Sequence, residues 1–223
     1  MNIKNQFSHE AFEAMPVIGI MRSLSFDIIE KIVPLYQQAG LTTLEVTMNS
    51  GGASEIIKTL SASYPHLNIG AGTVCEMEDL HAALEAGASF IVTPVLNDEV
   101  ITFCVENKVP VFPGAFTPTE VYKAWKLGAT AVKIFPASRF GPAYLKELKA
   151  PLNKIKLLPT GGVSLENIAD FFKAGAMGAG MGSTLFDKEM ISKKEFEGLH
   201  LHFRKIASKV KEWSVPKVRP REG

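Results

Sequence analysis

Lys133 stands inside the apolar run Val132-Lys133-Ile134-Phe135, and Glu45 inside Leu44-Glu45-Val46. Burying a lone ammonium or carboxylate is expensive. Burial lowers the pKa of a lysine and raises that of a glutamate, because each loses the hydration of its charged form. A neutral amine attacks a carbonyl carbon and forms an imine. A carboxyl group poised near neutrality shuttles protons. The structural alternatives are an ion pair between the two groups that holds the fold together and, for Lys133, an amine that snorkels to a strand end. These readings are compatible, since imine formation needs a base beside the lysine. Two charges inside buried strands favour a chemical use.

A third feature is the pair of glycine turns Gly161-Gly162-Val163-Ser164 and Gly180-Met181-Gly182-Ser183. Glycine lets backbone N–H groups approach an anion closely, although a tight turn needs it for its own reasons. The histidines point elsewhere. His200 and His202 are two apart in a helical stretch and face different directions, and His9, His66 and His81 fall on or near helices as surface residues. Cys75 and Cys104 have neither zinc-ligand spacing nor the number a disulfide framework needs. Carbonyl chemistry here is expected to be imine-based, with no metal and no cofactor. Phe112, Phe116 and Phe135 read as core or pocket wall.

The elements that position these residues repeat one grammar. Phe7 to Met15 reads as a short leading helix. Short apolar strands then alternate with helices: Val17–Met21, Thr43–Thr47, Asn68–Thr73, Phe90–Thr93, Pro110–Pro113, Ala131–Phe135, Lys156–Pro159 and Met177–Met181. The helices between them are expected from an N-cap at Ser25 to Ala39, then Ala53–Tyr64, Met77–Ala86, Asp98–Asn107, Thr119–Leu127, around Tyr144–Lys149, Leu165–Ala174, and last Lys194–Lys211. Gly40, Gly87, Gly128 and Gly175 close four of them. Non-alternating strands separated by helices predict a parallel sheet buried on both faces. Eight units predict a (β/α)8 TIM barrel, one domain over residues 1–223 with a short N-terminal helix. In such a barrel the strand C-termini and the loops after the seventh and eighth strands carry the chemistry. Arg22, Glu45, Thr47, Asn49, Thr73, Thr93, Lys133, Thr160, Gly161, Gly162 and Ser183 all fall at those ends.

Composition sets the limits. Of 223 residues, 46% are hydrophobic and 21% charged, so a packed core is expected rather than disorder. Lysine plus arginine is 24 against 23 aspartate plus glutamate, a net charge of +1 that gives no reason to expect a nucleic-acid or membrane partner. The basic cluster Lys217-Val218-Arg219-Pro220-Arg221 reads as a solvated end. No apolar run approaches the ~18 residues of a membrane span, and no signal peptide opens the chain, so a cytoplasmic location is expected. The chain is short for a barrel of ~250 residues, which leaves no room for a lid or a cofactor domain.

Leu44-Glu45-Val46-Thr47, Gly70-Ala71-Gly72-Thr73, Val92-Thr93-Pro94, Phe112-Pro113-Gly114, Val132-Lys133-Ile134-Phe135-Pro136 and Pro159-Thr160-Gly161-Gly162-Val163 resemble the 2-keto-3-deoxy-6-phosphogluconate (KDPG) aldolases, also described as 4-hydroxy-2-oxoglutarate aldolases. The resemblance runs from about Val17 to about Phe186 with the motifs in order. It implies a class I pyruvate aldolase of the Entner-Doudoroff type, a barrel assembled as a homotrimer, without metal. It implies that Lys133 forms the Schiff base and that Glu45 is the general acid/base acting through a water. It implies that Thr73, Pro94 and Phe135 line the pyruvate pocket, and that Gly161, Gly162 and Ser183 bind phosphate.

One position departs from the pattern. Many members carry an arginine four residues after the glutamate, where this chain has Asn49. A related branch, the 2-keto-3-deoxy-6-phosphogalactonate (KDPGal) aldolases, has asparagine there and an arginine at the end of the first strand, the place of Arg22. A guanidinium binds a carboxylate bidentately, so Arg22 is expected to take over that role. Phe140-Gly141-Pro142-Ala143-Tyr144 also resembles the galactonate branch. Thr160 resembles the gluconate branch, and its hydroxyl can hydrogen-bond one configuration of a substrate hydroxyl. That tilts the expectation to KDPG as substrate, with KDPGal as the alternative. Two other classes compete: a phosphate-sugar isomerase or epimerase on the same barrel, and a non-catalytic barrel that binds a phosphorylated ligand.

Overall fold

The computed structural model describes residues 6–214. The basic cluster Lys217–Arg221 and its expected solvation lie outside the described residues. Helix α1 (His9–Ala14) leads into a strict alternation: β1 (Val17–Met21), α2 (Phe26–Gln38), β2 (Thr43–Thr47), α3 (Ala53–Ser63), β3 (Asn68–Gly72), α4 (Met77–Glu85), β4 (Ile91–Val92) and α5 (Asp98–Glu106). Next come β5 (Val111–Phe112), β6 (Gly114–Ala115), α6 (Pro118–Lys126), β7 (Val132–Ile134), a 3-10 turn at Ala137–Arg139, α7 (Gly141–Lys149), β8 (Leu157–Pro159), α8 (Ile168–Lys173) and β9 (Ala179–Met181). Two helices, α9 (Lys188–Ser192) and α10 (Phe196–Ser214), end the described chain.

Every strand pairing is parallel, and the strands form two curled groups: β5-β4-β3-β2-β1-β9 and β6-β7-β8. The break between them falls where the strand expected over Pro110–Pro113 ends: β5 occupies Val111–Phe112, and after Pro113 the chain stays extended as β6, beyond the expected bounds. Hydrogen bonding changes partner there: the Phe112 carbonyl accepts from Thr93, while the Pro113 carbonyl accepts from Lys133. A proline has no N–H to continue a ladder, so an interruption falls naturally at that residue. At the other end a single parallel bridge joins Thr160 to Gly180, linking the end of β8 to β9. The fold is therefore a mixed α/β structure with a strongly curled parallel sheet. Continuous eight-stranded pairing, expected from the sequence, is interrupted at Pro113 and thin between β8 and β9.

Local signals set most helix boundaries. Gly40, Gly87, Gly128 and Gly175 all have φ between +85° and +101°, as a left-handed helix terminator requires. Thr117 and Glu120 form a reciprocal capping box at α6, with Pro118 in the first turn. Asn97 caps α5 by accepting from the Glu99 and Val100 amides. Ser25 does stand at the start of α2, but its side chain makes no capping bond; its carbonyl accepts from Ile28 and Ile29 instead. The last helix starts later than expected, at Phe196, because Lys188–Ser192 forms a separate helix capped by Asp187.

Two apolar layers result. The larger lies between sheet and helices and includes Tyr36, Leu44, Ile57, Val132 and Phe203. The smaller lies inside the curl of the sheet: Phe7, Phe12, Ile18, Phe90, Val92, Phe112, Ala131 and Leu158. Phe12 and Phe90 both meet Phe112 edge to face, at 5.7 and 5.9 Å between ring centroids. Helix α1 thus plugs the end of the sheet where the strands begin. It is held there by Asn68, whose amide oxygen accepts from the Ser8 N–H (2.7 Å) and whose amide nitrogen donates to the Ser8 carbonyl (3.0 Å). With one end sealed, the opposite rim, where the strands finish, remains for a site. Among the described residues no helix is long and apolar enough to cross a membrane.

Candidate active site

Side chains alternate along a strand, so the inward set follows from register. Lys133 sits opposite Gly114 on one side and Leu158 on the other. Glu45 pairs with Ile20 and Gly70. Both ionisable groups are buried, Glu45 at 1% and Lys133 at 4% exposure. Glycine on neighbouring strands makes the space for this layer. A Cβ at Gly72 would come within 2.2 Å of Glu45 Oε1, and a Cβ at Gly180 within 2.4 Å of Thr160 Oγ1. The polar groups occupy volume that side chains on those strands would fill.

Burial dominates the electrostatics of both groups. Desolvation pushes the Glu45 carboxyl above its usual range, and the charges of Lys133 and then Arg22 pull part of the way back. Desolvation holds the Lys133 amine below its usual range; Glu45 opposes that shift, while Arg22 reinforces it. The ion pair that stood as the structural alternative is not formed: among the described residues Lys133 and Glu45 make no ion pair within 4.0 Å. Lys133 Nζ lies 5.3 Å from the centroid of the Phe135 ring. An amine that can shed its proton therefore sits next to a carboxyl that can hold one.

Above this layer opens a cavity of about 320 Å³. Of the expected site residues, Arg22, Lys133, Phe135, Thr160, Gly161, Gly162 and Ser183 line it. Glu45 and Thr73 are adjacent to it without lining it: Glu45 acts on Lys133 through its charge, and the Thr73 hydroxyl accepts from Arg22 Nη2 at 3.4 Å. Pro94 does not line the cavity; its carbonyl oxygen packs against Gly114, where a Cβ would fall 2.3 Å from that oxygen. Its neighbour Thr93 is buried, accepts from the Gly114 N–H at 3.2 Å and donates to the Val95 carbonyl. Asn49 is not brought to the cavity. It lies exposed in the turn after β2, while its neighbour Ser50 turns inward to accept from the Ser23 N–H (2.9 Å) and meet the Thr47 hydroxyl (2.8 Å).

The two glycine turns are fixed to each other. Asn167 donates to the Gly162 carbonyl and accepts from the Ser164 N–H, each at 2.8 Å. The Thr184 hydroxyl donates to the Val163 carbonyl at 2.5 Å, and His202 Nε2 lies 2.8 Å from the Thr184 carbonyl. Gly161 and Gly162 have φ of +87° and +78°. His200 Nε2 is buried without a hydrogen-bond partner among the described residues.

Sequence reasoning did not single out Thr184 and Lys188, which line the cavity. Lys188 opens a five-residue helix too short to give a periodic signal.

An amine able to lose its proton and a carboxyl able to hold one, at the floor of a cavity walled by arginine and glycine turns, suit imine chemistry on an anionic carbonyl compound. That combination on a parallel α/β fold fits the imine-forming aldolases, a class of carbon–carbon lyases. Residues 9–201 match the family model described as KDPG and KHG aldolase, and the chain belongs to that family. It is 38% identical over 183 residues to the 2-dehydro-3-deoxy-phosphogluconate aldolase of Pseudomonas aeruginosa, covering 82% of each chain. It is 40% identical over 174 residues to the 2-dehydro-3-deoxy-6-phosphogalactonate aldolase of Escherichia coli K12, covering 77% of this chain and 85% of the relative. A solved structure described as native KDPGal superposes with a TM-score of 0.83 at 34% identity, over 93% of this chain and 98% of that one.

Proposed function

We propose that the chain is a class I pyruvate aldolase that cleaves KDPG to pyruvate and glyceraldehyde 3-phosphate, and 4-hydroxy-2-oxoglutarate to pyruvate and glyoxylate. The observation that carries this reading is the burial of Lys133 and Glu45 side by side without a mutual ion pair, beneath a cavity that Lys133 lines. A lysine held below its usual pKa by burial is the nucleophile an imine needs.

The neutral Lys133 amine attacks C2, and Glu45, working through a water, moves the protons that convert the carbinolamine to an iminium and release one water. The iminium accepts the electron pair of the C3–C4 bond as that bond breaks, while the C4 hydroxyl proton passes to Glu45. The aldehyde leaves, the resulting enamine takes a proton at C3, and hydrolysis returns pyruvate and free Lys133. Arg22 grips the C1 carboxylate and is oriented by Thr73. Phe135 and Pro94 shape the pyruvate end, and Gly161, Gly162 and Ser183 receive the phosphate. Their contribution is positioning rather than bond-making.

Thr160 supports the gluconate configuration, since this hydroxyl-bearing residue lines the cavity beside Gly161 and Gly162. The second reading, KDPGal, is supported by Arg22 lining the cavity while Asn49 stands outside it, the arrangement the resemblance assigns to the galactonate branch. The same proposal includes a single domain whose curled sheet closes as an eight-stranded barrel, with β5 and β6 as one kinked strand. The Thr160–Gly180 bridge and the bond from the Met177 N–H to the Leu157 carbonyl support that closure. It also includes a cytoplasmic homotrimer, a state the family resemblance implies.

Pyruvate release from KDPG, KDPGal and 4-hydroxy-2-oxoglutarate, measured side by side, tests the reading. KDPG is expected to be fastest and Lys133→Met inactive on all three. Faster release from KDPGal would transfer the assignment to the second reading, and no release from any of them would overturn it.

A further inference from the structure

We infer that Lys188 is a further binding residue of this cavity, the cation that holds the phosphate monoester end of the ligand; the identity of that ligand rests on the aldolase reading above. Three cationic side chains line the cavity, Arg22, Lys133 and Lys188, and among the described residues no carboxylate does. A keto-acid phosphate brings one carboxylate and a phosphate of roughly −1.5 to −2 at pH 7. Lys133 must enter the reaction as an uncharged amine, and Arg22 faces the carboxylate. The glycine turns offer N–H dipoles but no net charge, so of the cavity's cations Lys188 is left for the phosphate.

Its surroundings leave Lys188 available. The acids on either side are engaged elsewhere: Asp187 Oδ1 accepts from the Met190 N–H at 2.8 Å, and Glu189 Oε1 pairs with Lys193 at 2.6 Å. Among the described residues Lys188 itself makes no ion pair within 4.0 Å. The loop that leads into it is fixed to the other glycine turn by the Thr184 hydroxyl on the Val163 carbonyl, and to α10 by His202 on the Thr184 carbonyl. A cation without an ion-pair partner among the described residues, held just after an anchored loop and beside two glycine turns, is an arrangement that captures a phosphate dianion.

The test is calorimetric titration of the full chain with glycerol 3-phosphate in phosphate-free buffer, beside steady-state kinetics on KDPG. For Lys188→Ala the Kd for glycerol 3-phosphate is expected to rise about tenfold, and the KM for KDPG to rise in parallel with a far smaller change in kcat. Lys188→Glu is expected to lose binding further, and Lys188→Arg to stay within about threefold of the parent. An unchanged Kd in Lys188→Ala, or a parent protein that does not bind glycerol 3-phosphate, overturns the inference. The two readings separate cleanly. Pyruvate release with a Lys188-insensitive Kd removes Lys188 and leaves the aldolase; a Lys188-sensitive Kd without pyruvate release leaves the anion site and removes the aldolase.

Discussion

Glu45 is accommodated by the absence of a side chain at Gly72: a Cβ there would stand 2.2 Å from Glu45 Oε1 and 2.6 Å from its carboxyl carbon. Both residues lie on paired strands of the same curled sheet, so neither backbone can retreat without breaking the ladder. Gly72→Ala is therefore expected to displace the carboxylate rather than the strand. A displacement of ~1 Å in a catalytic group can cost about 100-fold in rate, and overpacking costs about 1–3 kcal/mol of stability. A loss of kcat much larger than the loss of stability, read from kinetics and denaturant titration, is the expected signature. A variant with full activity would show that Glu45 does not need its observed position.

The pH dependence of imine formation follows from the charges around Lys133. Attack requires the neutral amine, so the rate of pyruvate trapping should rise with pH through a midpoint lower than that of an ordinary lysine. The negative charge of Glu45 favours the ammonium and raises that pKa from where burial alone would put it. Removing the charge with Glu45→Gln should then move the midpoint to lower pH, even though turnover falls. A midpoint that moves upward would mean that Glu45 does not act on Lys133 through its charge.

Arg22 reaches the cavity from the end of β1 and donates to Thr73. Arg22→Ala should raise the KM of pyruvate-derived substrates by about 10- to 100-fold, the range for hydrogen bonds to a charged group, with a smaller effect on kcat. Arg22→Lys should recover only part, because an ammonium cannot reproduce a bidentate contact. An unchanged KM in Arg22→Ala would return the carboxylate to another group.

Phe12 plugs the sealed end of the sheet against Phe112 and Phe7, far along the strands from the cavity. Truncation of a buried phenylalanine to alanine costs about 3–5 kcal/mol. Phe12→Ala should lose that much in denaturant unfolding while the protein still folded keeps its KM. A stability change below about 1 kcal/mol would show that α1 is not part of the core.

The alternation of strands and helices was legible because each signal is local. Apolar runs of four or five residues mark strands buried on both faces, and Gly40, Gly87, Gly128 and Gly175 terminate helices in the left-handed conformation the sequence suggested. Lys133 and Glu45 stood out because a charge inside an apolar run is rare. What was not legible depends on contacts distant in sequence. The change of hydrogen-bond partner at Pro113 depends on which strands lie on either side. Asn49 and Ser50 are neighbours in the chain, yet the turn sends Ser50 inward and Asn49 out, and nothing in Thr47-Met48-Asn49-Ser50 distinguishes them. Lys188 belongs to no motif in the sequence, and only the path of the chain after β9 brings the start of α9 to the cavity.

The central claim, that Lys133 is the imine-forming nucleophile, is tested most directly by borohydride reduction in the presence of pyruvate followed by peptide mass analysis. The account predicts one reduced pyruvyl adduct per chain on the peptide containing Lys133, and no adduct in Lys133→Met. An unmodified Lys133 peptide, or an adduct on a different lysine, would contradict it.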